Sequence, residues 1–344
     1  MSGKMKRRGL LILNLGTPDS PEPEDVGRYL KQFLMDKWVI DIAAPFRWFL
    51  VNVLIVPKRK FASSEAYKTI WTDRGSPLAF HLEDLKSKVR SFGEAEFQVE
   101  SAMRYQNPSI ESALSKFVDV DEVVVFPLYP QYAESSTRSS KEEVERVAKS
   151  MGLSAELIFV QDYFDQPGFV SAFVSRIEAA APKKPFHLLM SFHSLPESHV
   201  QKTDPSGEHC LKKQNCCDQI TDVNRRCYRA QCFATARAIA ARLGLGKDRW
   251  SVSFQSRLGR AEWLKPTTEA SLPALGKSGV DLVVATPSFT ADCLETIEEI
   301  GDRGKELFIS NGGASFSRAE CLNSGDDWAR TVIEIARHTR TIHK

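Results

Sequence analysis

The chain has 344 residues, and 46 Lys+Arg against 44 Asp+Glu leave a formal net charge of +2. That length suits about two domains, and 42% hydrophobic with 26% charged residues is a globular composition, unlike that of a disordered, collagen-like or disulfide-stapled chain. So small a charge also argues against a dedicated nucleic-acid binder, because neutralising phosphates takes a clustered basic excess.

In chain order, basic residues first precede the apolar run Gly9–Leu15. The order is that of a signal peptide, but the run is short for one, and Thr17-Pro18-Asp19 stands where a small-residue cleavage site belongs. The run reads instead as a buried first strand. Trp38–Val56 is the nearest approach to a membrane span, yet Asp41, Pro45, Arg47 and Asn52 break it, so it falls short of the roughly 18 apolar residues required. It reads either as a core helix or as an apolar lip that covers a hydrophobic ligand or rests on a bilayer. The chain is expected in the cytoplasm, with peripheral membrane contact through that lip left open.

Short runs rich in Val, Ile, Leu and Phe predict strands at Leu10–Asn14, Phe97–Met103, Glu122–Pro127, Glu156–Val160, Phe186–Ser191, Ser251–Gln255, Asp281–Thr286 and Glu306–Ser310. Such runs suit parallel strands buried on both faces. Helices fill the intervals. Ser140-Lys141-Glu142-Glu143 has capping-box spacing and opens a helix over Lys141–Ser150. Tyr228–Leu243 stops before Gly244. The alternation predicts an α/β fold of two similar doubly wound domains, residues 1–165 and 166–344, each a four-stranded parallel sheet flanked by helices. The first carries the lip (about residues 33–60), the second a Cys-rich insert (about 205–232), and the last helix is expected to pack back on the first domain.

Ligands of such sheets sit at the carboxyl ends of the strands. Asn14-Leu15-Gly16-Thr17 follows the first strand, and one glycine is no dinucleotide fingerprint. Arg104-Tyr105 follows the second, and Tyr129, Tyr132 and a hydroxyl-rich Ser135–Ser140 follow the third. Aromatic rings and a guanidinium there suit a large, flat, partly anionic ligand, although each alone reads more often as a packed tyrosine or a solvated arginine. The fifth strand runs into His193, an imidazole placed to accept a proton near neutral pH. The sixth leads to Gln255–Arg260 and Trp263, the seventh to Phe289 and then Glu295, Glu298, Glu299 and Asp302. On an α-helix those four carboxylates form one stripe, which is either a solvated face or a site for a hard cation or proton relay.

Cys210, Cys216, Cys217, Cys227 and Cys232 crowd one polar segment. Their spacing matches neither a zinc knuckle nor a ferredoxin. Disulfides are disfavoured in the cytosol, so a thiolate-rich metal site of unspecified metal is the preferred reading.

These motifs together, in this order, resemble ferrochelatase, which inserts ferrous iron into a porphyrin in haem synthesis. The matching stretches are LILNLGTPDSP, AYKTIWTDRGSPL, MRYQNPSI, FPLYPQYAESST, SFHSLPESH, VSFQSRLGRAEWLKP, TPSFTADCLETIEEI and SNGG. The resemblance implies two Rossmann-like domains around a porphyrin cleft, in a monomer or homodimer. It implies that Fe2+ and protoporphyrin IX, or a close porphyrin, are substrates. It also implies that His193 accepts the pyrrole protons or touches the metal, with Glu295 as its counterpart and Glu299 as a second carboxylate on the iron or proton path. Tyr105, Trp263 and Phe289 match porphyrin-packing positions, and Arg104 is a looser match for a propionate contact. Two features depart from the family pattern: Cys293 stands where many members have His, and Arg303 interrupts the acidic row. Some members carry a 2Fe-2S cluster, certain bacterial ones on an internal Cys-rich segment. That implies Cys210, Cys216, Cys217 and Cys227 as ligands, with Cys232 in reserve. The rival readings are a porphyrin-binding redox sensor without turnover, against which His193 and Glu295 speak, and a chelatase for another tetrapyrrole or metal.

Overall fold

The structure is a computed structural model that describes residues 7–257, 259 and 261–340. The basic residues ahead of Arg7, and Leu258 and Arg260 of the Gln255–Arg260 motif, lie outside the described residues. The chain forms two units. One comprises Met1–Tyr129, Glu134–Gln161 and Ser324–Lys344, the other Pro130–Ala133 and Asp162–Asn323.

The first unit is built on parallel strands β1 (Arg8–Gly16), β2 (Phe97–Tyr105), β3 (Glu122–Pro127) and β4 (Glu156–Phe159), in the order β2-β1-β3-β4. The two central strands are apolar almost throughout because helices cover both faces. Leu11, Leu13, Val123 and Val125 pack there with Val144 and Val147 of the Ser139–Met151 helix. The Asp326–His338 helix packs on Pro77–Gly93, and Gly93 leaves room for the Ile333 side chain.

The second unit repeats the pattern with β5 (His187–His193), β6 (Trp250–Gln255), β7 (Asp281–Ala285) and β8 (Ser315–Arg318), ordered β6-β5-β7-β8. In each sheet the strand order reverses between the first and third strands, which is where a doubly wound sheet opens a crevice at its carboxyl ends. The expected pair of four-stranded parallel sheets is present, and strands β1 to β7 lie where the apolar runs put them.

The eighth strand does not. Glu306–Ser310 is helical, continuing a π-helical segment, Glu295–Gly304, as Lys305–Ser310. Phe308 is buried there among Leu189, Leu272 and Ile300. A short apolar run fits either period, and the helix leading into it decides. The chain turns at Gly312, at φ 94, before β8 begins. The helix expected from Lys141 starts at Ser139 and is entered from a π-helical turn, Glu134–Arg138. Ser140 therefore lies inside the helix and pairs with the Tyr129 hydroxyl at 3.3 Å instead of capping.

Trp38–Val56 is not a core helix. Pro45 opens a short helix, Ala44–Phe49, followed by π-helical Leu50–Ile55 and then Val56–Ile70. Phe46, Trp48, Phe49, Val53 and Leu54 are exposed, Phe46 by 72%, while Val51 is buried. Among the described residues no helix is long and apolar enough to cross a membrane.

Candidate active site

β5 ends on His193 beside the reversal in strand order, so the fold presents this imidazole at a crevice edge. Its Nδ1 lies 2.6 Å from the Ser194 carbonyl. A carbonyl only accepts, so Nδ1 carries the hydrogen and Nε2 keeps its basic lone pair. Burial lowers the His193 pKa, partly countered by the Glu295 charge and by the Ser194 carbonyl. The ring is thus neutral near pH 7 and able to take a proton. Phe289, from the turn after β7, meets it edge-on at 6.1 Å between centroids. Trp263 is held by backbone pairing at the turn after β5: it bridges Pro196, and the Leu264 amide donates to the Leu195 carbonyl at 3.0 Å.

Opposite β6, a π-helix closes its hydrogen bonds to i+5 and takes more residues per turn than an α-helix. The four-carboxylate stripe expected on an α-helix is accordingly split. Glu298 is taken up in a two-point pair with Arg303, at 2.7 and 2.9 Å, and Asp302 is exposed. Glu295 and Glu299 remain as the inward pair. The Glu295 carbonyl accepts from Gln255 at 2.8 Å, and Gln255 accepts from Ser191 of β5 at 2.6 Å. Glu299 accepts from the Ser256 amide at 2.9 Å and its hydroxyl at 2.5 Å. Ser256 takes φ 69 to aim both donors, a backbone state costly for any residue with a Cβ. Burial lifts the Glu299 carboxyl to about 6, with Glu295 adding to the rise and Ser256 resisting it. Glu299 also lines a cleft of about 390 Å3 with Glu269, Arg303 and Glu306, so a group that changes protonation near neutrality borders open space.

Cys293 is buried, and its amide donates to Thr296 Oγ1 at 3.0 Å. Its neighbour Asp292 is tied down by Arg318, Thr296 and Asn323, which fixes the entry to the π-helix.

The residues between Thr203 and Cys227 form turns without regular secondary structure. All five cysteines there and at the start of the next helix are buried free thiols. Cys216 and Cys217 sulfurs lie 3.7 Å apart, and the Cys227 thiol neighbours those of Cys210 and Cys217. Cys232 faces the Tyr228 hydroxyl instead. Arg229 donates to the Cys217 sulfur at 3.0 Å, and Asp204 accepts the His209 and Cys210 amides at 2.7 and 2.8 Å. Neighbouring thiols and burial raise the pKa of Cys217 and Cys227, the latter to about 12. Among the described residues no three His, Cys, Asp or Glu side chains converge as they would around one metal ion.

The family model for ferrochelatase matches residues 7–340. The chain belongs to the ferrochelatase family. It is 45% identical to the ferrochelatase of Stutzerimonas stutzeri over 96% of this chain and 98% of that one. It is 43% identical to the ferrochelatase of Bdellovibrio bacteriovorus over 97% and 99% respectively. Among solved structures, SirB from Bacillus subtilis with Fe3+ superposes with a TM-score of 0.52 at 13% identity, covering 96% of this chain and 94% of that one. CbiX, the terminal enzyme for biosynthesis of sirohaem in denitrifying bacteria, gives 0.50 at 13% identity, covering 97% and 100%. At such identities these two share the fold alone.

A ferrochelatase inserts iron into porphyrin in haem biosynthesis, and the neutral imidazole and half-buried carboxylates of the second unit are the kinds of group that proton removal requires. The porphyrin positions of the first unit are arranged differently from a contact surface. Tyr105 is 0% exposed, and its hydroxyl donates to Asp36 at 2.9 Å. Arg104 pairs with the same carboxylate at 2.7 Å and with Ser139 at 2.9 Å. Together they anchor the base of the lip, where Asp36 also accepts the Trp38 amide at 2.8 Å. Asp36, Ser256, Arg229 and Tyr228 were not singled out from sequence, because a single polar residue carries no periodic or spacing signal.

Proposed function

We propose that the substrates are Fe2+ and protoporphyrin IX or a close relative, with release of two protons. The observation that carries the reading is His193: a neutral imidazole with Nδ1 satisfied and Nε2 basic, at the carboxyl end of β5. His193 takes the pyrrole protons, Glu295 is its counterpart, and Glu299 passes protons or iron toward the cleft it lines. Trp263 and Phe289 pack the macrocycle. For Arg104 to pair with a propionate it must exchange Asp36 for the ligand's carboxylate, a bidentate geometry a guanidinium suits.

Cys210, Cys216, Cys217 and Cys227 are the proposed ligands of a 2Fe-2S cluster. Their buried, adjoining thiols and the Arg229 donor support this, and Cys232 is left to Tyr228. A cluster needs two thiolates at each iron, not three side chains around one ion. When bound it supplies a cross-link through the turn-rich segment and a one-electron redox centre. Contact with a membrane surface is assigned to the exposed Phe46, Trp48 and Phe49, while Arg47 folds back to donate to the Ile40 and Ile42 carbonyls.

The test is anaerobic Fe2+ mixed with protoporphyrin: the free-base spectrum should disappear over many turnovers, and His193→Ala or Glu295→Ala should abolish this in a folded protein. Full activity in both variants would overturn the site. A single stoichiometric binding event would favour the sensor reading.

A further inference from the structure

Both main-chain polar groups of His193 are held by side chains from other elements. Its N–H donates to Ser288 Oγ at 2.9 Å, and its carbonyl accepts from the Tyr228 hydroxyl at 2.8 Å. The sheet explains why they are needed. Pairing of β5 with β7 covers only His187–Met190, so on that side the ladder stops before His193. Buried N–H and C=O groups must find partners, and the two side chains replace the missing strand. On the other side β6 still reaches His193 and Ser194.

Tyr228 is buried, opens the Tyr228–Arg242 helix and follows Cys227 directly. Its hydroxyl is also near Ser288 and the Cys232 sulfur. A phenol has one proton to donate, so the bond to His193 depends on where the first helical turn sits. That turn is entered from the irregular cysteine segment and tied to it: the Cys227 amide donates to the Asn224 carbonyl at 2.8 Å, and the Asn224 side chain donates to the Cys216 and Gln219 carbonyls, both at 2.8 Å.

We propose that Tyr228 is a positioning residue through which order in the cysteine segment sets the placement of His193. This rests on the cluster reading above: a group bound by Cys210, Cys216, Cys217 and Cys227 clamps the residue next to Tyr228 and keeps its hydroxyl on the His193 carbonyl. The cluster then acts on a redox-neutral reaction without passing electrons to it. A displacement of about 1 Å in a catalytic group costs up to about 100-fold in rate, so one lost tether is enough to register.

The test compares full-length wild type and Tyr228→Phe, each prepared loaded and from iron-limited cells, with iron and sulfide counted in every preparation. Two readouts are taken: kcat and KM for Zn2+ insertion into porphyrin, and hydrogen exchange of the peptide over residues 188–196. In wild type, loss of the cluster should lower kcat about tenfold at unchanged porphyrin KM and speed exchange in that peptide. Loaded Tyr228→Phe should already show both changes, and cluster loss should add less than about twofold. Ser288→Ala, which cuts the other tether, should lower kcat yet stay responsive to the cluster. Wild-type kcat and exchange in loaded Tyr228→Phe, or an undiminished response to cluster loss in that variant, would overturn the coupling. Zinc, or no iron and sulfide, in wild type would overturn the cluster reading instead. In that preparation the Tyr228→Phe kcat and exchange still decide whether the hydroxyl positions His193.

Discussion

Glu299→Gln should stabilise the protein in alkaline solution and leave it nearly unchanged in acid. Burial holds the Glu299 carboxyl at about 6 against an ordinary 4.5. Between those values the folded protein keeps a proton that the unfolded chain has released. The stability linked to this group is fully present below pH 4.5 and is lost as pH rises through 6. At about pH 8 the shift works against the folded state by about 2 kcal/mol. A carboxamide removes that term. Its oxygen accepts the Ser256 amide and its NH2 donates to the Ser256 hydroxyl, as the protonated carboxyl does. The Ser256 bonds to the charged form are already contained in the net shift. The variant should therefore be more stable than the parent by about 2 kcal/mol at about pH 8 and about equally stable at about pH 4. Parallel unfolding of the two proteins across that range measures the difference. A constant offset at all pH values would refute the reasoning, because it would mean that the Glu299 carboxyl titrates alike in the folded and unfolded chain.

Other substitutions separate the remaining roles. Asp36→Asn strands the Arg104 guanidinium in a nearly buried position and should cost about 3 kcal/mol in denaturant unfolding. Gly276→Ala places a Cβ 2.7 Å from the Phe308 carbonyl oxygen, a backbone atom that cannot swing aside. A loss of about 1–3 kcal/mol is expected by the same measurement. Serine at Phe46, Trp48 and Phe49 together should abolish sedimentation with anionic vesicles while leaving the melting temperature unchanged, since all three are exposed. Cys227→Ser should eliminate cluster iron and sulfide, whereas Cys232→Ser should retain both, as read by metal analysis and visible absorption.

The sheets were legible because burial on both faces forces continuous apolar strands, as in Glu122–Pro127, where every residue is buried. β8 escaped for the opposite reason. Ser315-Phe316-Ser317-Arg318 is a short edge strand of half-buried residues, while Leu307-Phe308-Ile309 nearby imitates a strand from within a helix. At the site, His193 was visible because it ends an apolar run. The acidic stripe was drawn with the wrong pitch, since nothing in Glu295–Gly304 announces a π-helix by composition. The lip stayed ambiguous because apolar residues on a surface and in a core look alike until the chain is folded.

The shared order of the two sheets carries a consequence for how this enzyme can diverge. The same scaffold occurs twice, yet the equivalent strand ends bear different groups: β1 closes on Gly16, with the Tyr105 backbone against it, and β5 closes on His193. The glycine leaves no side chain to react, whereas the imidazole is the proposed base. Two copies of one strand order thus carry unlike strand ends, and under the proposed reading a substitution at the strand ends of the first sheet would leave the proton acceptor of the second untouched.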